Sequence, residues 1–349
     1  MRQRSNTILL ALAAGLAVSM LAAAVAMAAS ITGTNGKDKL TGTPDADTIK
    51  ALAGNDRVSS LGGNDTVDLG KGRDRATAGD GNDTVNGGRN TDVIRGGKGD
   101  DALNGNSGRD LILGGDDADK IRGGSGGRPG HRWDALFGNK GNDDVRGNNG
   151  YDFVAGNQGD DTVVGGRGRD KVFGGSGNDH LFGDFVVAPS RRSSGRKGDR
   201  IHGGPGNDVS VGGAGRDKMS GGTGNDTQYG GGGADLIYAN RGVDTSYGGN
   251  GNDNLWALAR ADVTAPGDPV GDTLIGGNGN DRFHTGDGEV DKITCGPGND
   301  RVFADQYDII TDATPNDANG SCEHVVRNSN ESDSAEKKTE SPKDDSKEK

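Results

Sequence analysis

The sequence predicts an all-β solenoid of two parallel sheets. Three observations carry that prediction. Aspartate recurs every nine residues along most of the chain, an apolar residue follows it by two, and glycine fills the stretches between, 67 of 349 residues. The usual glycine share is about 7%. Hydrophobic residues make up 30% and aromatic residues 4%, too little for a conventional enzyme core. Such a composition reads as disorder, or as a repeat fold that needs only a thin core. Collagen is excluded because glycine does not recur at every third position. The formal charge of −12 argues against a nucleic-acid partner and suits a solvated acidic protein or a cation binder.

In chain order, the first element is a targeting segment. Arg2 and Arg4 precede an apolar run from Ile8 to Met27, and Ala26-Met27-Ala28 forms a small-residue cleavage pattern. Residues 1–28 read as a secretory signal peptide cut near Ala28. The alternative is an uncleaved anchor, since the run is nearly long enough to span a bilayer. Arg2 and Arg4 are not adjacent, so general export is expected rather than the twin-Arg route.

The repeat fills residues 29–310. Its aspartates are Asp38, Asp47, Asp56, Asp65, Asp74, Asp83, Asp92, Asp101, Asp110 and Asp119, then Asp134, Asp143, Asp152, Asp161, Asp170 and Asp179. They continue as Asp199, Asp208, Asp217, Asp226, Asp235, Asp244 and Asp253, and end less regularly as Asp272, Asp281, Asp291, Asp300 and Asp308. A clean unit is Gly174-Gly175-Ser176-Gly177-Asn178-Asp179-His180-Leu181-Phe182. The residue two after the aspartate is apolar in all but three units, whose residues are Ser210, Gln228 and Ser246. Three residues centred on it form a short strand with one side chain inward and two outward. The six glycine-rich residues form the turn, where positive φ is needed. Two units close one coil, and about 14 coils stacked at ~4.8 Å make a rod of roughly 65 Å.

Turns 18 residues apart then stack, and carboxylates such as Asp38 and Asp56 or Asp47 and Asp65 come face to face. Stacked carboxylates repel unless a cation lies between them. Carboxylate and carbonyl oxygens in a flexible shell suit Ca²⁺ better than Mg²⁺, and no Cys or His array offers a soft-metal site.

The units resemble the RTX, or haemolysin-type, calcium-binding nonapeptide over roughly residues 33–310. The resemblance implies a parallel β-roll with several Ca²⁺ ions held between successive turns. It also implies that the ligands are the sixth-position aspartates from Asp38 to Asp300, Asp291 excepted, and main-chain carbonyls of the turn glycines. Asn90, Asp117 and Ala46 replace the fourth-position glycine. Asn and Asp tolerate the left-handed region, whereas Ala46 puts its turn in question. The turn Gly286-Asp287-Gly288-Glu289-Val290-Asp291 has one extra residue and is also irregular.

Insertions near 127–133, 184–197 and 258–271 interrupt the count, the first two on one edge and the third on the other. The middle one carries Arg191, Arg192, Arg196 and Lys197. It reads either as a solvated loop or as a contact to an anionic cell-wall or matrix polymer. Tyr229 and Tyr247 flank the polar failures of one sheet at outward positions, and Tyr238 and Trp256 are outward on the other sheet. Aromatic stripes of this kind bind sugars or a partner. A register shift that turns the tyrosines inward is the alternative. Cys295 and Cys322 are expected to form a disulfide in an exported chain, with free thiols as the alternative. The bridge would clip a cap at 311–326 over the last coil, and the charged residues 327–349 form a disordered tail.

The five histidines are scattered, and no H-E-x-x-H, G-x-S-x-G or P-loop motif occurs. The expectation is a secreted, non-enzymatic calcium-binding protein, structural or adhesive at the cell surface or in the matrix. The rival is a glycan-binding or carbohydrate-active solenoid that uses the outward aromatic residues.

Overall fold

The nine-residue period folds into two parallel sheets of fifteen strands each, with odd-numbered strands in one sheet and even-numbered strands in the other. This architecture is seen in a computed structural model of the chain, which describes residues 27–125, 133–184, 198–257, 270–311 and 320–327. The signal segment, most of the three insertions, part of the cap and the charged tail lie outside the described residues.

Every inter-strand pairing is parallel, and most pairs are offset by 18 residues, as in Val93↔Leu111 and Ile94↔Ile112. The offset lengthens where Leu111 pairs with Ala135, Lys171 with Arg200 and Thr245 with Thr273. The ladder closes over the extra residues without a change of register, because one slipped residue would turn every inward side chain outward.

Most strands are longer than the three residues expected. Arg75–Asp80 and Val93–Lys98 each span six, continuing through the first two turn positions and the third. The reason is that the first turn position also faces inward. Ala51, Ala78, Ala239 and the larger Leu69 at that position are fully buried. The inward apolar residues, such as Ile94, Leu103, Ile112 and Ile121, form one core that ends at Ile237. A second core begins at Leu255. In the opposite sheet, beside the end of the first core, the inward positions hold Ser210, Gln228 and Ser246, all buried. Ser246 Oγ donates to Gln228 Oε1 at 3.1 Å. These polar residues stay inward and Tyr229 stays outward in its strand, so no register shift occurs there.

At the C-terminal end a disulfide joins Cys295 to Cys322. The strand His324–Arg327 pairs with Arg301–Ala304 and completes the second sheet.

Candidate metal sites along the turn edges

The strand order places the aspartates in two columns, one along each edge of the roll. In each column the backbone N–H of one aspartate donates to Oδ1 of the next. Asp134 N donates to Asp152 at 2.8 Å, and Asp152 N donates to Asp170 at 2.7 Å. One column runs without a break from Asp38 to Asp300, and its last N–H donates to Glu323 Oε2 at 2.7 Å. The other runs from Asp47 to Asp308 and includes Asp291. All the predicted aspartates therefore lie in these columns. Glu323 closes the first of them and was not read from the sequence, because the count followed aspartate alone.

A second ladder runs outside the first. Asn82 N donates to Asn64 Oδ1 at 2.9 Å and Asp100 N donates to Asn82 Oδ1 at 3.1 Å. The asparagine that precedes many of the aspartates thus bonds turn to turn.

The other carboxylate oxygen has no such partner. Oδ2 of Asp65, Asp92, Asp152, Asp170, Asp226 and Asp253 is buried without a hydrogen-bond donor. The same holds along most of both columns. A buried, unpaired anionic oxygen is among the costliest features a fold can carry. Glycine carbonyls converge on the same places. A methyl group built on Gly96 would collide with Asp101 Oδ2 and sit 2.6 Å from the Gly114 carbonyl oxygen of the next turn. One built on Gly99, whose φ is 107°, would meet the Gly81 carbonyl oxygen of the previous turn at 2.5 Å. Along most of both columns, then, the second carboxylate oxygen has no donor among the described residues, and carbonyl oxygens of neighbouring turns lie close by. That donor set fits a hard divalent cation such as Ca²⁺. The aspartates with the turn glycine carbonyls are the residues that would hold it.

Electrostatics agree with the geometry. Burial, followed by the charge of neighbouring aspartates, raises Asp92, Asp170 and Asp226 to about 8. Asp272 is raised to about 9 by burial and by Asp244, Asp287 and Glu289. Without a cation these groups hold protons near neutral pH.

The first turns differ. Asp38 Oδ2 accepts from Thr34 N at 2.6 Å and from Thr34 Oγ1 at 3.0 Å. Asp47 Oδ2 accepts from Thr43 N at 2.6 Å, and Oδ1 from Thr43 Oγ1 at 2.9 Å and Ala29 N at 2.5 Å. Burial pushes Asp47 up, but these bonds bring it below the usual carboxylate range. The irregular turn containing Ala46 is closed in this way by protein donors. At the other two replacements, Asn90 and Asp117 take positive φ of 80° and 78°.

This chain belongs to the RTX calcium-binding nonapeptide-repeat family. The family model matches residues 32–127 in overlapping segments, then 134–154, 155–185, 194–219, 220–255 and 267–289, more than half of the chain. No curated protein matches it. The RTX roll described here extends beyond the last matched segment through the turns of Asp291, Asp300 and Asp308.

The aromatic residues fall into two groups. Tyr229 and Tyr247 stack with centroids 4.8 Å apart and rings inclined by 6°, and Tyr229 is exposed. Tyr238 and Trp256 are outward on their sheet yet only 2% and 9% exposed. They belong to a ring column in which Trp256 lies 3.6 Å from His284, and His284 lies 5.1 Å from Phe303. Their burial leaves Tyr229 and Tyr247 as the accessible aromatic pair of the four predicted.

Proposed function

We propose that the protein is an exported, non-enzymatic calcium-binding protein whose roll is completed by Ca²⁺ ions held between stacked turns on both edges. The observation that carries this reading is the run of buried second carboxylate oxygens without donors, many of them packed at a turn glycine that also faces a carbonyl oxygen of the next turn. When bound, calcium supplies the positive charge that lets stacked carboxylates ionise together. Outside a cell the ion is abundant; inside it is scarce. The chain would therefore cross a membrane unfolded and harden afterwards. A repeat roll whose aspartates are buried along its two edges, with no recognised catalytic motif in its sequence, suits a structural or adhesive role at the cell surface or in the matrix.

The test is equilibrium dialysis of the calcium-stripped chain against Ca²⁺, with fractionation of the producing culture. The expected result is many ions bound per chain, and protein recovered outside the cells. One ion or none, or protein retained inside, contradicts the reading.

The stacked Tyr229–Tyr247 pair, with Tyr229 exposed and Tyr247 half-buried, favours a second reading, a contact for sugar rings of a wall or matrix polymer. Binding on a glycan array that is lost in Tyr229→Ala supports it. An array blank for the folded, calcium-loaded protein rejects it.

A further inference from the structure

One turn carries a donor set unlike the others. Between the strands Arg282–His284 and Lys292–Thr294 the chain passes through residues 285–291, and Asp272 meets Asp291 at a separation of 19 rather than 18. Thr285, Asp287, Glu289 and Asp291 are buried there while the residues between them are more exposed. The chain turns at 286–288, where Gly288 has φ of 107° and Glu289 N donates to Asp287 Oδ1 at 3.2 Å, and the three carboxylates all lie on its buried side. One ligand oxygen from each of Asp287, Glu289 and Asp291 lies within 4.8 Å of the other two. Counted back from Asp291, Asp287 and Glu289 occupy the second and fourth positions, which hold glycine in a regular unit.

The second observation concerns Asp291 itself. It is fully buried, its Oδ1 accepts from Asp272 N at 2.7 Å, and its Oδ2 is sealed from solvent without a donor. Neighbouring Asp308 shows the contrast. Its Oδ2 accepts from Thr285 Oγ1 at 2.7 Å and Asp305 N at 2.9 Å, and its Oδ1 from Asp291 N at 3.1 Å. Protein donors satisfy Asp308, and none satisfies Asp291 Oδ2.

We propose that Asp287, Glu289 and Asp291 form a Ca²⁺ site that is tighter than the repeat turns and fills before them. The proposal rests on the calcium reading of the repeats but adds a site of different composition. A repeat turn offers one carboxylate and neutral carbonyls, whereas this turn offers three anionic side chains on one short segment. Affinity for Ca²⁺ rises with the number of charged ligands and the rigidity of the site. The buried position leaves little room for the waters that Mg²⁺ tends to retain, which favours Ca²⁺.

The test is calorimetric titration of the full calcium-stripped chain with CaCl₂. The wild type is expected to show one tight ion, then a weaker class from the repeats. Glu289→Gln keeps the side-chain size and removes one charge. It should weaken the tight ion by at least ~10-fold while leaving the repeat class and the calcium-loaded circular dichroism spectrum unchanged. Asp179→Asn, in the regular turn Gly174-Gly175-Ser176-Gly177-Asn178-Asp179, should lower the repeat class and leave the tight ion. Terbium adds a readout that does not depend on heats. Trp256 stacks on His284, which immediately precedes the turn. Trp-sensitised emission at less than one Tb³⁺ per chain should therefore fall in Asp287→Asn and in Glu289→Gln. A tight ion and terbium emission that survive in both variants overturn the proposal. A wild type with only the weak class overturns it and leaves the repeat reading standing. A wild type that binds no calcium at all removes both.

Discussion

Leu52 and Leu61 sit at the second turn position with φ of 75° and 83°, where glycine or asparagine stands in most other turns. An L-residue pays roughly 1–2 kcal/mol there. Both side chains are more than 40% exposed, so little burial offsets that cost. Leu61→Gly is expected to stabilise the calcium-loaded protein by about 1 kcal/mol, read from urea denaturation. A clear loss of stability would show that Leu61 makes a contact worth more than its backbone strain. At the aspartates the balance is electrostatic. Asp152 Oδ1 accepts from Asp134 N, and burial with the charge of Asp134 raises the group to about 7. Asparagine keeps that acceptor and removes the charge. Asp152→Asn should therefore be silent at pH 4 without calcium, where the carboxyl is protonated. At pH 7.5 it should raise the calcium concentration at the folding midpoint, because a ligand is gone. Circular dichroism titrations at the two pH values check both halves.

Among the elements, the strands around Gln228 are the weak join. The apolar core divides between Ile237 and Leu255, beside Ser246, which bonds Gln228, and both Ser210 Oγ and Gln228 Nε2 are buried without a partner. Replacing Gln228 by Leu together with Ser246 by Val removes a buried polar pair and joins the two cores. The double variant is expected to be more stable by roughly 1–3 kcal/mol; destabilisation would mean that bound water satisfies these groups. The polar inward positions were legible from the sequence, since each falls two residues after an aspartate at intact spacing. Period, sheet number and inward face were legible for the same reason. Three local features were not. The first inward turn position is mostly glycine, which has no side chain to reveal its direction, so the strands read as too short. Thr34 and Thr43 close their turns through backbone and hydroxyl donors that no periodicity announces. The extra residue before Asp291 hid the alternating Asp287 and Glu289, because a fixed count treats them as an error in the repeat.

At the scale of the molecule, two edges of buried carboxylates make the fold depend on what neutralises them. The usual aspartate value is 3.8, and Asp92, Asp152 and Asp272 stand at about 8, 7 and 9 in the fold, each first through burial. Groups raised on folding stabilise the calcium-free roll fully below their unfolded value, and that stability is lost as pH rises through the folded values. In chelator the chain should hence gain β-structure near pH 4 and lose it between about pH 6 and 9. Calcium should reverse this trend, because ligation requires the deprotonated carboxylates and releases their protons. A calcium-free chain whose circular dichroism does not change from pH 4 to 9 would contradict the burial of these groups. The central claim is that cations between stacked turns complete the roll, and far-ultraviolet circular dichroism at pH 7.5 tests it most directly. The account predicts a largely unfolded spectrum in chelator, a parallel-sheet spectrum on addition of millimolar Ca²⁺, and little response to Mg²⁺. A full β-sheet spectrum in chelator, with a melting temperature that calcium leaves unchanged, would contradict it.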